Sequence, residues 1–558
     1  MRAPARLATA ISIVGGLMFI GPAAAFAIGL STSAEPVDLQ AGANSDFNIE
    51  IDISESSDQI RDLTIHLPPG LIANPLAPEF CTEADFEADA CSEESKVGDV
   101  SSNVTIPALM MTADFPGEIF NLVPEPGEPA RLGNTLVTPL GTVHLQAPAA
   151  LRESDFGLDT FLTDIPNTAG GLQIHINSID FTLFGEANDP PVGFMRNPTS
   201  CVPATTGFDA VAHTNETASD DADPFTPTGC DSLAFDPGFS ATLTPMGTGG
   251  LKPELTTAIT QTPTEAGLKR AVVVLPPDLG ADNAVLANQC AEDQFEGHAC
   301  PANTIVGTAT AASPFLPTAL TGAVALLPPE GGLPRVGLDL LGLLPLQLIG
   351  QFVLTPQGTG VEFAGLPDIP ITNFALTFTG GDNGLVVASR PVCDPPPLEF
   401  NSTFDAHSGA TVAKTTPATV VGECPPKAEK KPNAKIKLRK LGTDEPRMKV
   451  SVKAGTDELR KATIKMPKVL GFASGKKFDK GTKAQASARR AKAKVKHTKR
   501  KLTLRRKQGT RRFRATIDDG ALKRLGKIKG GDRLKFRVKA RDVDGDLSKI
   551  VAKGTARL

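Results

Sequence analysis

The chain has 558 residues, with 57 Lys or Arg against 62 Asp or Glu and a formal net charge of −5. It contains no Trp and no Tyr, so the amphipathic rings that commonly serve as sugar platforms are missing and only Phe remains to stack. The 47 Pro and 52 Gly punctuate it throughout and long amphipathic helical periods are absent, which points to an all-β fold.

At the N-terminus, Arg2 and Arg6 precede an apolar run over residues 7–30 that is broken by Pro22, and Ala23, Ala25 and Ala27 offer cleavage after Ala25 or Ala27. Residues 1–27 therefore read as a secretory signal peptide, and the protein as extracellular or cell-surface. If uncleaved, the run is long enough to anchor the chain in a membrane. No Cys occurs before Cys81, which excludes a lipoprotein anchor. A second apolar stretch, 336–354, carries Asp339, Pro345, Gln347 and Gln351, each costly in hydrocarbon, and is read as buried strands.

Phe47, Ile49, Ile51 and Ile53 alternate with polar residues as in a half-buried strand. Leu63, Ile65 and Leu67 continue the pattern until Pro68 and Pro69 remove two backbone donors and end it. This second strand is copied: residues 60–71, IRDLTIHLPPGL, return at 268–279 as LKRAVVVLPPDL and at 459–470 as LRKATIKMPKVL. Thr82 with Asp85 three residues on predicts a short capped helix.

The eight Cys follow the same duplication. Cys81 and Cys91 recur as Cys290 and Cys300, each enclosing nine residues, and Cys201 and Cys230 recur as Cys393 and Cys424. Of the 105 pairings open to eight thiols, repeat symmetry favours 81 with 91, 201 with 230, 290 with 300 and 393 with 424. Zinc ligands usually come as closer pairs, so no metal is expected. Further matches, VPEPGEPARLG (123–133) with LPPEGGLPRVG (327–337) and SIDFTLFG (178–185) with NFALTFTG (373–380), delimit two homologous acidic repeats at 34–230 and 238–424. Tandem antiparallel β-sandwiches of Ig-like type, stapled by disulfides, are the expected architecture.

After a linker at 425–431, residues 432–558 read as a basic β domain that continues the third copy. From residue 425 onward there are 44 Lys or Arg against 12 Asp or Glu, a net charge of +32, while the first 424 residues carry 13 against 50, a net charge of −37. The densest stretch, 494–517, reads as a β-ribbon turning at Gln508 and Gly509. Its cations Lys494, Lys496, Lys499, Arg500, Lys501, Arg505, Arg506, Lys507, Arg511, Arg512 and Arg514 are the candidate contacts for a polyanion, because a field of this size attracts one over a Debye length or more.

Catalytic signatures are missing. His66, His144, His175, His213, His298, His407 and His497 form no HExxH, and no nucleophile elbow G-x-S-x-G is present. His213 and His407 both follow a Phe-Asp-Ala, at different distances, and are read as structural. Asp220, Asp221 and Asp223 suggest a solvated loop and Asp542, Asp544 and Asp546 a turn. No catalytic residue and no cofactor is assigned.

The run LTIHLPPGLIANP, the C-x9-C loop followed by Val-Gly, the Arg-Pro-x-Cys of residues 390–393 and the basic β tail resemble a family of exported repeat proteins of high-GC actinobacteria. The resemblance spans nearly the whole mature chain, and its motifs are structural. The first repeat departs from it, with Arg196-Asn197-Pro198 further from Cys201.

These readings converge on an exported cell-envelope protein, structural or adhesive, whose basic domain binds an anionic cell-wall polymer or another polyanion. Alternatives are a secreted polyanion-binding protein with a soluble or foreign target, and an enzyme with an unrecognised site. The acidic repeats are themselves a candidate partner of the basic domain, by self-association, and a membrane is a partner only if the N-terminal segment is retained.

Overall fold

The computed structural model describes residues 28–54, 59–139, 141–188, 190–425, 430–486 and 492–558; the expected signal peptide lies outside them. The chain divides into two compact units, 1–425 and 426–558.

In the first repeat, alternation sets the strand faces. Phe47–Ser54 buries Phe47, Ile49, Ile51 and Ile53 and turns Glu50, Asp52 and Ser54 outward. Eleven strands form one continuous sheet running from Gly29–Pro36 through Phe47–Ser54, His175–Leu183, Lys96–Ile106, Met111–Leu122, Arg131–Thr138, Gly141–Leu151, Leu158–Leu162, Ile60–Leu67 and Gly207–Ala212 to Thr217–Asp221. The sheet wraps around one core until its two edges adjoin, where Thr32 donates from both its N–H and its Oγ1 to Asp220 Oδ2 at 2.8 Å. Asp220 and Asp221 therefore lie on a strand that closes the sandwich, not in the expected loop.

The second repeat repeats this order strand for strand, from Thr411–Pro417 at one edge to Gly238–Thr244 near the other, with Thr419–Val420 added in parallel beyond it. An ion pair from Lys414 to Asp236, 2.7 Å long, bridges its edges. The apolar stretch at 336–354 supplies strands Leu333–Leu341 and Leu346–Thr355 of this sheet. The eight Cys form four bonds, 81–91, 201–230, 290–300 and 393–424, and none is free.

Each short disulfide loop holds one helix, Glu83–Glu87 or Glu292–Glu296, and the first is capped by Thr82, whose Oγ1 accepts from the Asp85 N–H at 3.2 Å. Each helix drives a buried Phe against the sheet. A Cβ on Gly133 would stand 2.6 Å from the Phe86 ring, and one on Gly337 the same distance from Phe295. Only glycine admits that approach, which is why the matched segments end in Gly in both repeats. The helix ends are tied down by opposite arrangements, Asp89 to His144 at 2.9 Å and His298 to Asp339 at 2.6 Å, with Asp89 and His298 both left-handed.

The twice-copied strand carries a bulge in all three copies. The extra residue is Arg61, Lys269 or Arg460, and its carbonyl accepts from the N–H of Ile165, Leu366 or Arg506 at 2.8, 3.0 and 3.0 Å. Beside it, His213 and His407 occupy one equivalent position: each N–H bonds the residue before the strand, and each Nε2 lies 2.8–3.0 Å from the carbonyl of Ile165 or Leu366. The histidines correspond and the two Phe-Asp-Ala segments do not. Phe208 pairs with Ile65 whereas Phe404 pairs with Ala271, an offset of two that leaves the buried face unchanged and so hides in the sequence.

A joint connects the two repeats. Arg196, 7% exposed, donates to the carbonyls of Gly42, Pro263 and Glu265, and Thr199 bonds Asp368 through both its N–H (2.7 Å) and its Oγ1 (2.5 Å). Burial pulls the pKa of Arg196 down and the nearby Asp368 carboxylate opposes it.

The basic unit is a sandwich of a four-stranded sheet, Asn433–Arg439, Arg447–Lys453, Arg512–Ile517 and Thr482–Ala486, and a five-stranded sheet, Lys494–Thr498, Lys501–Arg505, Leu459–Lys465, Arg533–Asp542 and Leu547–Thr555. The expected ribbon turning at Gln508 and Gly509 is not formed. The hairpin turn is Lys499-Arg500, and Gln508-Gly509 instead carries the chain across from the five-stranded to the four-stranded sheet. Gly509 has φ of +72°, and a Cβ there would meet Val543 and Glu458 within 2.8 Å, so this glycine serves a close crossing. A turn-forming dipeptide is common to both geometries, and the sequence could not separate them.

Candidate polyanion-binding face

The copied strand holds a cation on its outer face in each copy, and its neighbours differ from copy to copy. In the first repeat, His66 Nδ1 lies 2.8 Å from Asp159 and Nε2 lies 3.0 Å from Asp209. Burial opposes its charge, but the two carboxylates outweigh it and raise its pKa above 6.5. Both ring nitrogens are thus engaged, which leaves neither free to serve as a general base. In the second repeat, Arg270 lies between Glu362 at 2.5 Å and Asp405 at 2.9 Å, and these carboxylates raise its pKa.

In the basic domain, the corresponding Lys461 faces Arg505 on one neighbouring strand and Arg541 on the other. Half-burial and then Arg505, Arg541 and Lys501 lower its pKa. Like charges directly opposite on adjacent strands destabilise a sheet, so this row is the reverse of the arrangement in the repeats.

The row is part of a larger pattern. Lys494, Arg505, Lys461 and Arg541 lie in register across four strands. Two residues along come Lys496, Thr503, Thr463, Lys539 and Lys549 across all five, and the next row holds Lys501, Lys465 and Arg537. Lys535 pairs with Lys553 beyond these, and Arg533 ends the strand. None of these thirteen cations is ion-paired with a carboxylate among the described residues. The opposite side chains of the same strands, including Leu502, Leu504, Ile464, Phe536 and Val538, form the core.

Of the cations singled out in the sequence, Lys494, Lys496, Lys501 and Arg505 lie on this face and Lys499 and Arg500 on its hairpin turn, where Arg500 donates to the Met466 carbonyl at 3.2 Å. Arg506 and Lys507 lie on the crossing, while Arg511 leads into the other sheet, which carries Arg512 and Arg514. There Lys437 faces Lys449 and Lys453 faces Arg512, and Arg447 is paired with Asp518 at 2.7 Å. The dense stretch is therefore divided between two faces. Sequence reasoning missed Lys461, Lys465, Arg537, Lys539 and Arg541, although the basic-apolar alternation over 533–541 carried the signal.

The first repeat presents the opposite charge. Glu50 lies directly across from Asp180, with Asp52 and Asp114 nearby. Burial and these three carboxylates raise the pKa of Asp180 despite a hydrogen bond from Ser101.

No family model matches the chain, and no curated protein does either. Among solved structures, matches include BcpA, the major pilin subunit of Bacillus cereus (11% identity, TM-score 0.19, 37% of this chain and 63% of the pilin). A membrane-anchored protein from Corynebacterium diphtheriae matches at 9% identity and TM-score 0.16 over 94% of this chain and 92% of its own. The Enterococcus faecalis MSCRAMM ACE, which binds its ligands by the collagen hug model, matches at 8% identity and TM-score 0.13 over 59% of this chain and 96% of its own. The chain thus spans less than two thirds of the pilin, and at these scores none of the three matches carries the argument.

Proposed function

We propose that the protein is an exported component of the cell envelope, structural or adhesive, whose basic domain holds an anionic polymer on its five-stranded face. The observation that carries this reading is the Arg505–Lys461–Arg541 row: three cations held side by side without carboxylates, where the second repeat surrounds the matching Arg270 with Glu362 and Asp405. An anionic chain laid across the strands removes the repulsion and releases its own counterions, so charge neutralisation is the source of affinity. Four disulfides favour an oxidising compartment. The test is binding of full-length protein to isolated cell envelopes and to polyphosphate as salt rises. Affinity is expected to fall steeply, by the counterion-release logic of nucleic acids; retention unchanged at about 1 M salt, where screening extends only about 3 Å, rules the reading out.

The Glu50–Asp180 face favours a second reading, in which the basic domain of one copy takes the acidic repeat of another. Size-exclusion chromatography at low and high salt distinguishes it, since such association makes apparent mass depend on protein concentration.

A further inference from the structure

The layers of the second repeat enclose a cavity of about 90 Å³. Its walls are aliphatic side chains and Phe rings, no charged group reaches it, and only Thr257 and Ser313 contribute hydroxyls. Both hydroxyls are engaged, Thr257 with the Leu376 carbonyl and Ser313 with the Phe315 N–H. Leu346, Leu348 and Phe374 line the cavity yet stay partly accessible to solvent. The cavity therefore opens outward, past Leu316 and Ile369, both outside the strands and half-exposed.

The first repeat has a counterpart, a void of about 70 Å³ whose lining is mostly apolar, with Ser102, Asn134 and Thr135 among it. An apolar void stays dry and takes apolar guests. In the second repeat Ala311 stands where the first has Ser102, and Ser313 where it has Val104. The duplication kept the space, and the second repeat has the larger one.

We propose that the second repeat binds the alkyl chain of a lipid, methyl end inward, with the polar head left in solvent at the Leu316 rim. Apart from the Thr257 and Ser313 hydroxyls the lining is hydrocarbon, so what enters must be chiefly hydrocarbon too. This binding is independent of the polyanion reading, because it uses neither the basic domain nor any charge.

The absence of Trp and Tyr gives a clean reporter, since Leu316→Trp places the only indole of the protein at the rim. Full-length L316W is titrated with a fatty acid brominated near its methyl end. Saturable quenching is expected, weakened at least tenfold by Ala311→Phe in the same background, and unaffected by Leu136→Phe in the void of the first repeat. If Ala311→Phe fails to fold by circular dichroism, Ala312→Leu fills the same space with a smaller change. Absence of quenching overturns the proposal. So does quenching that survives the filling substitution, or quenching by vesicles of brominated phosphatidylglycerol alone, which would mean insertion of the rim into a bilayer. Extraction of bound phospholipid from the purified protein, together with quenching by the monomeric acid, supports a membrane lipid as the source; quenching by the acid with no phospholipid recovered supports free fatty acid.

Discussion

The outer face of the first repeat around Asp180 and that of the basic domain around Lys461 belong to the same kind of sandwich and carry opposite signs of charge. In both, the buried side of each strand is apolar and the exposed side sets like charges opposite one another. Asp180 is pushed toward its neutral form, and so is Lys461. Each face gives up stability for a field, which shows that the fold constrains only the inward positions and leaves the outward ones to be spent on partners. The total of −5 conceals both.

The largest expected effect comes from neutralising the cationic row. Arg505→Gln, Lys461→Gln and Arg541→Gln together are expected to reduce the dependence of log affinity on log salt by roughly 2 to 3, measured with polyphosphate and the full-length protein. Thermal stability is expected to hold or rise. A salt slope unchanged by the triple substitution means that the face is not where the polymer lies.

Transplanting the second repeat's solution onto the third copy sharpens the contrast further. Arg505→Glu with Arg541→Asp surrounds Lys461 with carboxylates, as Arg270 is surrounded. Stability is expected to increase by about 0.2–1 kcal/mol per new pair, read from denaturant midpoints, while polymer binding is lost. A decrease would show that like charges on this sheet carry no cost.

On the acidic side, Asp180→Asn is expected to stabilise the first repeat at neutral pH by an amount on the order of the same pairwise interactions. The folded pKa of Asp180 is raised above 3.8, so at pH between the two values the folded state binds more protons. Stability contributed by this site therefore falls as pH rises through that window, and the benefit of the Asn should vanish below it. Melting curves from acid to neutral pH test the crossover.

The smallest effect concerns His66. Its folded pKa is raised, so its contribution is fully present below pH 6.5 and is lost as pH rises through the folded value. His66→Val, the residue that the second repeat carries at position 274, should flatten that slope at a cost under about 1 kcal/mol at low pH. A slope unaltered by the substitution would detach the site from the pH dependence.

How much of this was legible in the sequence follows from how local each feature is. The strand at 60–67, its proline stop and the Cys spacing are written in consecutive residues, and the structure has them where the period-2 pattern and the repeat displacement put them. The cationic face draws on three segments far apart in the chain, so a search for the densest run found Lys494 to Arg505 and also gathered Arg512 and Arg514 from the other layer. Arg196 was visible only as a departure from pattern. Its role depends on Pro263 and Glu265 in the next repeat, which no local rule brings near.

The disulfides have one further consequence, which is mechanical. They close short loops, with sequence separations of 10, 29, 10 and 31, so together they withhold only about 80 residues from extension. A repeat pulled apart under tension would pay out most of its length at up to about 3.3–3.6 Å per residue. The staples would still hold the loops, ready to guide recoil. Such a chain behaves as a tether that lengthens before it breaks.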